Sequence, residues 1–176
     1  MSKVLIVVDM QNDFIDGSLG TKEAVEIVDN VVAEINKDYD LVICTRDTHH
    51  EDYLNTSEGR HLPVVHCQEN TEGWQIRKEV AEAVEKKANK LYLNKGTFGS
   101  SELVEIMKKY ADENPLESIT LIGLCTDICV VNNALLLKPS FPEVEMRVIA
   151  DCCAGVTPES HDAALTTMKM CQIEII

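Results

Sequence analysis

Short apolar runs rich in β-branched residues recur along the chain and alternate with longer stretches in which apolar residues return every three or four positions. The short runs predict buried parallel strands, because a strand covered on both faces is apolar throughout instead of alternating. They cover residues 4–8, 41–44, 64–65, 90–93, 119–122 and 145–149, and residues 171–176 are a further candidate for an edge strand.

The longer stretches predict helices, and the most regular of them carries one apolar stripe along residues 21–36. Further helices are predicted over residues 74–87, 101–110, 127–137 and 158–170. Alternating strands and helices predict an α/β fold, a three-layer α/β/α sandwich around a mostly parallel, roughly six-stranded sheet. Because the chain contains no repeat, low-complexity segment or linker, residues 1–176 are predicted to form a single domain.

Three predicted strands lead directly to a residue capable of acid–base or nucleophilic chemistry. Asp9 closes the first strand, Lys95 follows the fourth, and Cys129 follows the fifth through a tight glycine turn. Open α/β sheets bind ligands at the carboxyl ends of their strands. Cys129 is expected in the first turn of a helix that begins near Thr126, where the helix dipole lowers the pKa of a thiol. A nucleophile, a cation and a proton-shuttling carboxylate form a set suited to amide cleavage.

Each of these residues also has an ordinary structural explanation. Most cysteines pack as small buried hydrophobes, and most lysines lie on the surface. Asp9 precedes a stretch of turn-forming residues and is itself a residue type common in turns. The shared position of all three at strand ends favours the catalytic interpretation.

A second polar group follows the strand at residues 41–44. Asp47 and His49 stand two positions apart beyond that strand, and His66 follows later in the chain. One carboxylate and two imidazoles are plausible ligands of a divalent metal ion, and they suit Zn²⁺, Mn²⁺ and Fe²⁺ alike. Histidines taken alone are more often incidental, but the position at a strand end favours a metal site.

The chain resembles the isochorismatase-like cysteine hydrolase superfamily, and within it the nicotinamidase branch. The resemblance rests on Asp9 in VVDMQNDF, Lys95 in NKGTFGS and Cys129 in GLCTDICV, which occur in the order typical of the family. It extends from residue 3 to about residue 170 and covers nearly the whole chain. It implies hydrolysis of a small carboxamide, nicotinamide to nicotinate and ammonia in NAD salvage, through a thioester on Cys129.

The resemblance also assigns roles to individual residues. Asp9, Lys95 and Cys129 form the catalytic set, and the backbone amides of Cys125 and Cys129 form the oxyanion hole. A cis peptide bond between Leu124 and Cys125 is implied as well.

A metal site is implied by the same resemblance. The resemblance assigns Asp47, His49 and His66 to one divalent ion, and Glu58 or water is expected to complete the set of ligands. Zn²⁺ is the expected ion, with Mn²⁺ and Fe²⁺ as alternatives, and His50 and His61 compete with Glu58 for the fourth ligand position. Phe14 and Phe98 are expected to pack on the substrate ring, although core packing explains them equally well. Trp74 is either a further ring-binding residue or a packing residue.

Composition narrows the range of partners. A formal net charge of −14 disfavours nucleic-acid binding, because phosphates would be repelled. No apolar stretch approaches the roughly 20 residues needed to span a bilayer, so no membrane segment is expected. Seven cysteines without a regular framework and the lack of a visible signal peptide favour the cytoplasm. The expected partner is a small-molecule amide, and we expect a homo-oligomer.

Other functions remain open at this stage. Carbamoyl or ureido amidases of the same superfamily share the catalytic set and usually lack the metal ligands. Isochorismate hydrolysis needs no cysteine nucleophile, which makes Cys129 an argument against it. A noncatalytic protein or a thiol redox sensor using Cys125 or Cys129 would explain the cysteines but not Asp9 and Lys95.

Overall fold

A six-stranded sheet forms the centre of the computed structural model, which describes residues 1–176. Its strands are β1 (Ser2–Val8), β2 (Leu41–Asp47), β3 (Lys90–Lys95), β4 (Leu116–Leu124), β5 (Glu145–Ala154) and β6 (Glu174–Ile175). They lie in the order β3-β2-β1-β4-β5-β6, and every neighbouring pair is parallel. The chain builds outward from β1 to β3 and then returns to β4 on the other side of β1. This reversal is the position at which open α/β sheets bind ligands.

Helices cover both faces of the sheet. They are α1 (Asn12–Ile15), α2 (Lys22–Glu26), α3 (Val28–Ile35), α4 (Ser57–His61), α5 (Lys78–Glu85), α6 (Ser101–Glu113), α7 (Val131–Leu137) and α8 (Pro158–Met170). The strand β1 shows why a continuous apolar run was required. Val4 and Ile6 pack with residues of α6, α7 and α8 on one face, whereas Leu5 and Val7 pack with residues of α1, α2, α3 and α5 on the other. None of the helices combines the length and apolar character needed to cross a bilayer.

The predicted α/β sandwich is confirmed, and one predicted strand is wrong. Residues 64–65 form no strand, because Pro63 lacks an N–H and the N–H of Val64 turns back to the carbonyl of Leu62 at 2.8 Å. The sixth strand is instead β6, which lies within the segment predicted as a candidate edge strand. The other predicted strands are present, and each is longer than predicted.

Three of the predicted helices begin or divide differently in the structure. The stretch at 21–36 divides at Ile27 into α2 and α3. The helix predicted from residue 74 begins only at Lys78, because the preceding segment pairs with the chain after β1: Ile76 forms an antiparallel bridge with Gln11. The helix predicted over 127–137 starts as a π-helical turn, Thr126–Val130, before α7. By contrast, α8 has the predicted bounds of 158–170.

Candidate active site

The carboxyl ends of four neighbouring strands, β3, β2, β1 and β4, lie side by side. They lead to the polar residues singled out in the sequence. Asp9 follows β1, Asp47 is the last residue of β2, and Lys95 is the last residue of β3. The adjacent strand β4 leads into the π-helical turn Thr126–Val130, which carries Cys129. The structure therefore brings Asp9, Lys95 and Cys129 together at the strand ends, as expected for ligand sites of parallel sheets.

Lys95 lies between the other two residues of the predicted catalytic set. Its Nζ is 2.6 Å from Asp9 Oδ2 and 3.4 Å from Cys129 Sγ. The second oxygen of Asp9 accepts a hydrogen bond of 2.7 Å from the hydroxyl of Thr45. Asp9, Lys95 and Cys129 are all buried, with at most 4% of any of them exposed. Charge in such a site is poorly screened by water, so these contacts are stronger than they would be on a surface.

The backbone around the nucleophile depends on a close approach of two strands. Gly123 has a φ of +115°, and a side chain there would collide with the carbonyl of Val8 in β1. The peptide bond between Leu124 and Cys125 is cis, as the resemblance implies. The N–H of Val130 donates to the carbonyl of Cys125, five residues earlier, at 3.0 Å, and this spacing is that of a π-helix. Cys129 is thus presented beside the end of β1.

The predicted lowering of the Cys129 pKa is wrong. Burial raises the pKa of this thiol well above its usual value, and the negative charge of Asp9 raises it further while Lys95 opposes both. Burial also raises the pKa of Asp9, against the opposing effect of Lys95. Burial alone would lower the pKa of Lys95, but the negative charges of Asp9 and Asp47 raise it, so the lysine stays protonated. Burial thus favours the thiol form of Cys129, and Asp9 is the adjacent carboxylate that can accept its proton.

A second cluster of polar side chains can hold a metal ion. Asp47, His49, Glu58 and His66 each offer one ligand atom, and these atoms all lie within 4.8 Å of one another. His49 Nε2 is 2.9 Å from Asp47 Oδ2 and 3.5 Å from Glu58 Oε1. His66 Nε2 is 3.5 Å from Asp47 Oδ2 and 3.8 Å from Glu58 Oε1. Ligand atoms bound tetrahedrally at about 2.0–2.2 Å lie roughly 3.3–3.6 Å apart, so the cluster fits a Zn²⁺-sized ion.

The tautomer of one histidine also suits metal binding. His66 Nδ1 lies 2.8 Å from the carbonyl of Val64, which accepts a hydrogen bond from the protonated nitrogen and leaves Nε2 free as a ligand. Burial alone would raise the pKa of Asp47, but the neighbouring side chains of His49, His66 and Lys95 lower it. Asp47 is consequently a carboxylate at neutral pH, which is the form that binds a cation.

Glu58, and neither His50 nor His61, lies beside the other three candidate ligands. Thr56 caps α4 by accepting a hydrogen bond from Gly59 N, which places Glu58 in the first turn of this helix. His61 is exposed at the other end of α4, and its Nδ1 lies 2.8 Å from Ser57 O, in its own helix. His50 is also exposed and lies 3.5 Å from the carboxylate of a surface glutamate.

One cavity of about 260 Å³ connects the two clusters. Its lining includes Cys129, Cys125 and the metal-ligand candidates Asp47, Glu58 and His66, and most of the other lining residues are apolar. Phe14 and Phe98 both line this cavity, where they can contact a bound molecule.

In the cavity wall the rings of Phe14 and His66 contact each other, with their centroids 5.5 Å apart. Trp74 lies outside the lining; its Nε1 donates to Thr48 Oγ1 at 2.9 Å, and Arg46 stacks on its ring.

Sequence reasoning missed two residues that hold the metal cluster in place. Gln11 accepts a hydrogen bond from Asp47 N and donates to Asp47 O, both at 2.8 Å, and so fixes the end of β2. Tyr53 packs its ring against those of His49 and His66, with centroids 4.6 and 5.0 Å away. Gln11 could have been found from its position two residues after Asp9, whereas Tyr53 lies in a single 3-10 turn, which gives no periodic signal in the sequence.

Comparisons with known proteins find relatives that match nearly the whole chain. The sequence profile of the isochorismatase domain matches residues 3–176. A nicotinamidase of Schizosaccharomyces pombe is 27% identical over 98% of this chain and 91% of its own length. The nicotinamidase/pyrazinamidase of Mycobacterium tuberculosis is 26% identical over 99% of this chain and 98% of its own length. The crystal structure of a pyrazinamidase of Pyrococcus horikoshii in complex with zinc is 28% identical, with a TM-score of 0.80 and coverage of 100% of this chain and 99% of that one.

Proposed function

Because the chain belongs to the isochorismatase family, we propose that it is a cysteine-dependent amidohydrolase that converts nicotinamide to nicotinate and ammonia. Its similarity to nicotinamidases makes it a hydrolase of amide C–N bonds. The observation that carries the finer assignment is the shared cavity, which is lined by Cys129 and by three of the four metal-ligand candidates. A small substrate held there can contact both groups at once.

Asp9 and Cys129 carry the covalent chemistry. Asp9 accepts the proton of the Cys129 thiol, and the protonated Lys95 stabilises the charge as the thiolate attacks the carboxamide carbon. The backbone N–H groups of Cys125 and Cys129 are the donors proposed for the tetrahedral oxyanion. Asp9 then returns its proton to the departing ammonia, and a thioester remains on Cys129. Water, deprotonated by Asp9, attacks the thioester and releases the acid with the thiol restored.

In this proposal the metal-ligand cluster serves to recognise the substrate. Asp47, His49, Glu58 and His66 would hold one divalent ion, with Zn²⁺ expected and Mn²⁺ or Fe²⁺ as alternatives. The bound ion would supply a Lewis-acid position for the ring nitrogen of the substrate. The chain itself orients the ring through apolar contacts, for which the cavity positions of Phe14 and Phe98 are suited. Fixing both ends of a rigid substrate aligns its carboxamide for attack and lowers the barrier.

A carbamoyl or ureido amidase is the second candidate. It would use the same arrangement of Asp9, Lys95 and Cys129, but a linear substrate has no ring nitrogen to use a metal site. The metal-ligand cluster therefore favours a heteroaromatic amide. The buried ion pair of Asp9 and Lys95 beside the thiol favours an enzyme over a redox sensor. Homo-oligomer formation and a cytoplasmic location stay predictions from the sequence.

Ammonia release from four amides tests the proposal: nicotinamide, benzamide, a linear ureido compound and a carbamoyl compound, each with and without a chelator. Benzamide matches nicotinamide in shape but lacks the ring nitrogen. We expect nicotinamide to be cleaved at least tenfold faster than the other three, and the chelator to reduce that preference. Equal rates for nicotinamide and benzamide would show that the metal has no part in substrate recognition. Faster release from the ureido or carbamoyl compound would favour the second candidate.

A further inference from the structure

Asn133 is a fully buried polar side chain with no part in the chemistry described above. It lies in α7, one turn after the nucleophile, and all three of its hydrogen bonds lead to the active site. Its Nδ2 donates to the carbonyl of Cys129 at 2.8 Å and to the carbonyl of Phe98 at 3.2 Å. Its Oδ1 accepts a hydrogen bond from Ser100 N at 3.0 Å.

These hydrogen bonds connect two segments that are far apart in the sequence. One is the turn that carries Cys129; the other is the segment 96–100, which follows Lys95 at the end of β3 and leads into α6. The carbonyl of Thr97 in this second segment accepts a hydrogen bond from Lys95 Nζ at 3.1 Å. Asn133 thus bridges the chain segments that bear the nucleophile and its cation.

The same segment lies directly against α7. A Cβ at Gly99 would meet the end of the Leu136 side chain at 2.5 Å and the Cβ of Asn132 at 3.3 Å, so the segment packs closely on α7. Ser100 then caps α6 by accepting a hydrogen bond from Leu103 N at 3.2 Å. The segment is therefore fixed by the cap at one end and by Lys95 at the other, and Asn133 binds it in between.

We propose that Asn133 is a positioning residue that sets the separation of Cys129 Sγ and Lys95 Nζ and keeps Phe98 at the cavity. The amidase measurement of this proposal rests on the proposed function, whereas the thiol-reactivity measurement does not. A buried amide whose two donors and one acceptor are all used holds its partners in one geometry. Loss of this bridge would let the segment that follows Lys95 move relative to the nucleophile.

Two variants of Asn133 distinguish its hydrogen bond to Cys129 from its hydrogen bonds to residues 98 and 100. Asn133→Ala removes all three hydrogen bonds. Asn133→Ser leaves a short hydroxyl that can still donate to the carbonyl four residues earlier, as serine does in helices, but cannot reach residues 98 and 100. Asn132→Ala is the matched control, because the exposed Asn132 donates to the carbonyl of Ile128 in the same turn.

The experiment measures kcat and KM for nicotinamide with zinc-loaded protein, and the rate at which iodoacetamide alkylates Cys129, followed by peptide mass spectrometry. Both Asn133 variants are expected to lower kcat at least tenfold with KM changed less than threefold, and to lower the alkylation rate at least threefold because Lys95 no longer stabilises the thiolate. Asn132→Ala should stay within twofold of wild type in every measurement.

Wild-type kcat and alkylation in Asn133→Ser would overturn the proposal, because the bonds to the 96–100 segment would then be dispensable. A lower melting temperature with unchanged alkylation of the folded protein would also overturn it, since that is the result of a purely structural role. If wild type cleaves no amide but alkylation still responds to Asn133, the proposed function fails and the positioning role stands.

Discussion

The catalytic group and the metal-ligand cluster share one cavity but are built in different ways. Asp9 and Lys95 stand at the ends of β1 and β3, and Cys129 lies in the turn that follows β4. In the metal cluster only Asp47 belongs to a strand; Glu58 lies in α4 and His66 in irregular chain. The first group depends on the sheet, whereas the second depends on a loop segment held by caps and side-chain contacts.

The difference also appears in burial. Asp9 is completely buried, and Lys95 is 4% exposed. The side chain of Glu58 is 19% exposed, and burial together with the charge of Asp47 raises its pKa. The catalytic residues are therefore buried in the core, whereas the metal-ligand cluster is open to the cavity on one side. We expect mutations in the two groups to have separable effects: loss of chemistry in the first, loss of metal and substrate affinity in the second.

The largest effect is expected for Asp9→Asn. The amide cannot accept the thiol proton or return it to ammonia, so kcat should fall by about 10²–10⁴-fold, the usual contribution of a general acid–base group. Zinc content, measured by elemental analysis, should remain that of wild type, because no metal ligand is changed. Asp16→Asn is the matched control, since Asp16 is exposed and paired with Arg77. Zinc loss in Asp9→Asn would mean that the two groups are not separable.

An intermediate effect is expected for His66→Ala. Removing one of four ligands should lower the bound zinc well below one ion per chain and raise KM for nicotinamide about tenfold, with a smaller decrease in kcat. His50→Ala and His61→Ala should leave all three values within twofold of wild type, because neither side chain reaches the cluster. Zinc loss in His61→Ala but not in His66→Ala would show that the ligand set is wrong.

The smallest effect is expected from the aromatic wall of the cavity. Phe14 is 8% exposed and contacts the ring of His66, whereas Phe98 is 40% exposed. Phe14→Leu should therefore raise KM for nicotinamide about tenfold, and Phe98→Leu about twofold to threefold, with kcat nearly unchanged in both. The KM values of the two variants, measured by ammonia release, show which phenylalanine contributes more to substrate binding. The opposite order would place the substrate ring against Phe98 at the cavity mouth.

The same contrast explains how far the sequence could predict this site. Asp9 and Lys95 were predictable because a strand end is visible in the apolar pattern, and parallel strands place their ends together. Glu58 could not be placed from the pattern, because its position depends on the cap at Thr56 and on a segment without periodicity. The strand predicted at residues 64–65 failed in that same segment.

The environment of Cys129 was harder to predict than its position. An α-helical and a π-helical turn differ by one residue in their hydrogen-bond spacing, and the apolar pattern does not resolve this. The sign of the pKa change depends on how deeply the thiol is buried and on the charge of Asp9 beside it. Both are properties of the assembled site, so the dipole argument alone gave the wrong direction.

The central claim is that Cys129 cleaves nicotinamide, and ammonia release from nicotinamide by zinc-loaded wild type and Cys129→Ala tests it most directly. Wild type should release ammonia and nicotinate in equal amounts. Cys129→Ala should keep its zinc and its fold but lose about a thousandfold or more in rate, because the nucleophile is gone. No ammonia from the wild-type protein, or equal rates from the two proteins, would contradict the claim.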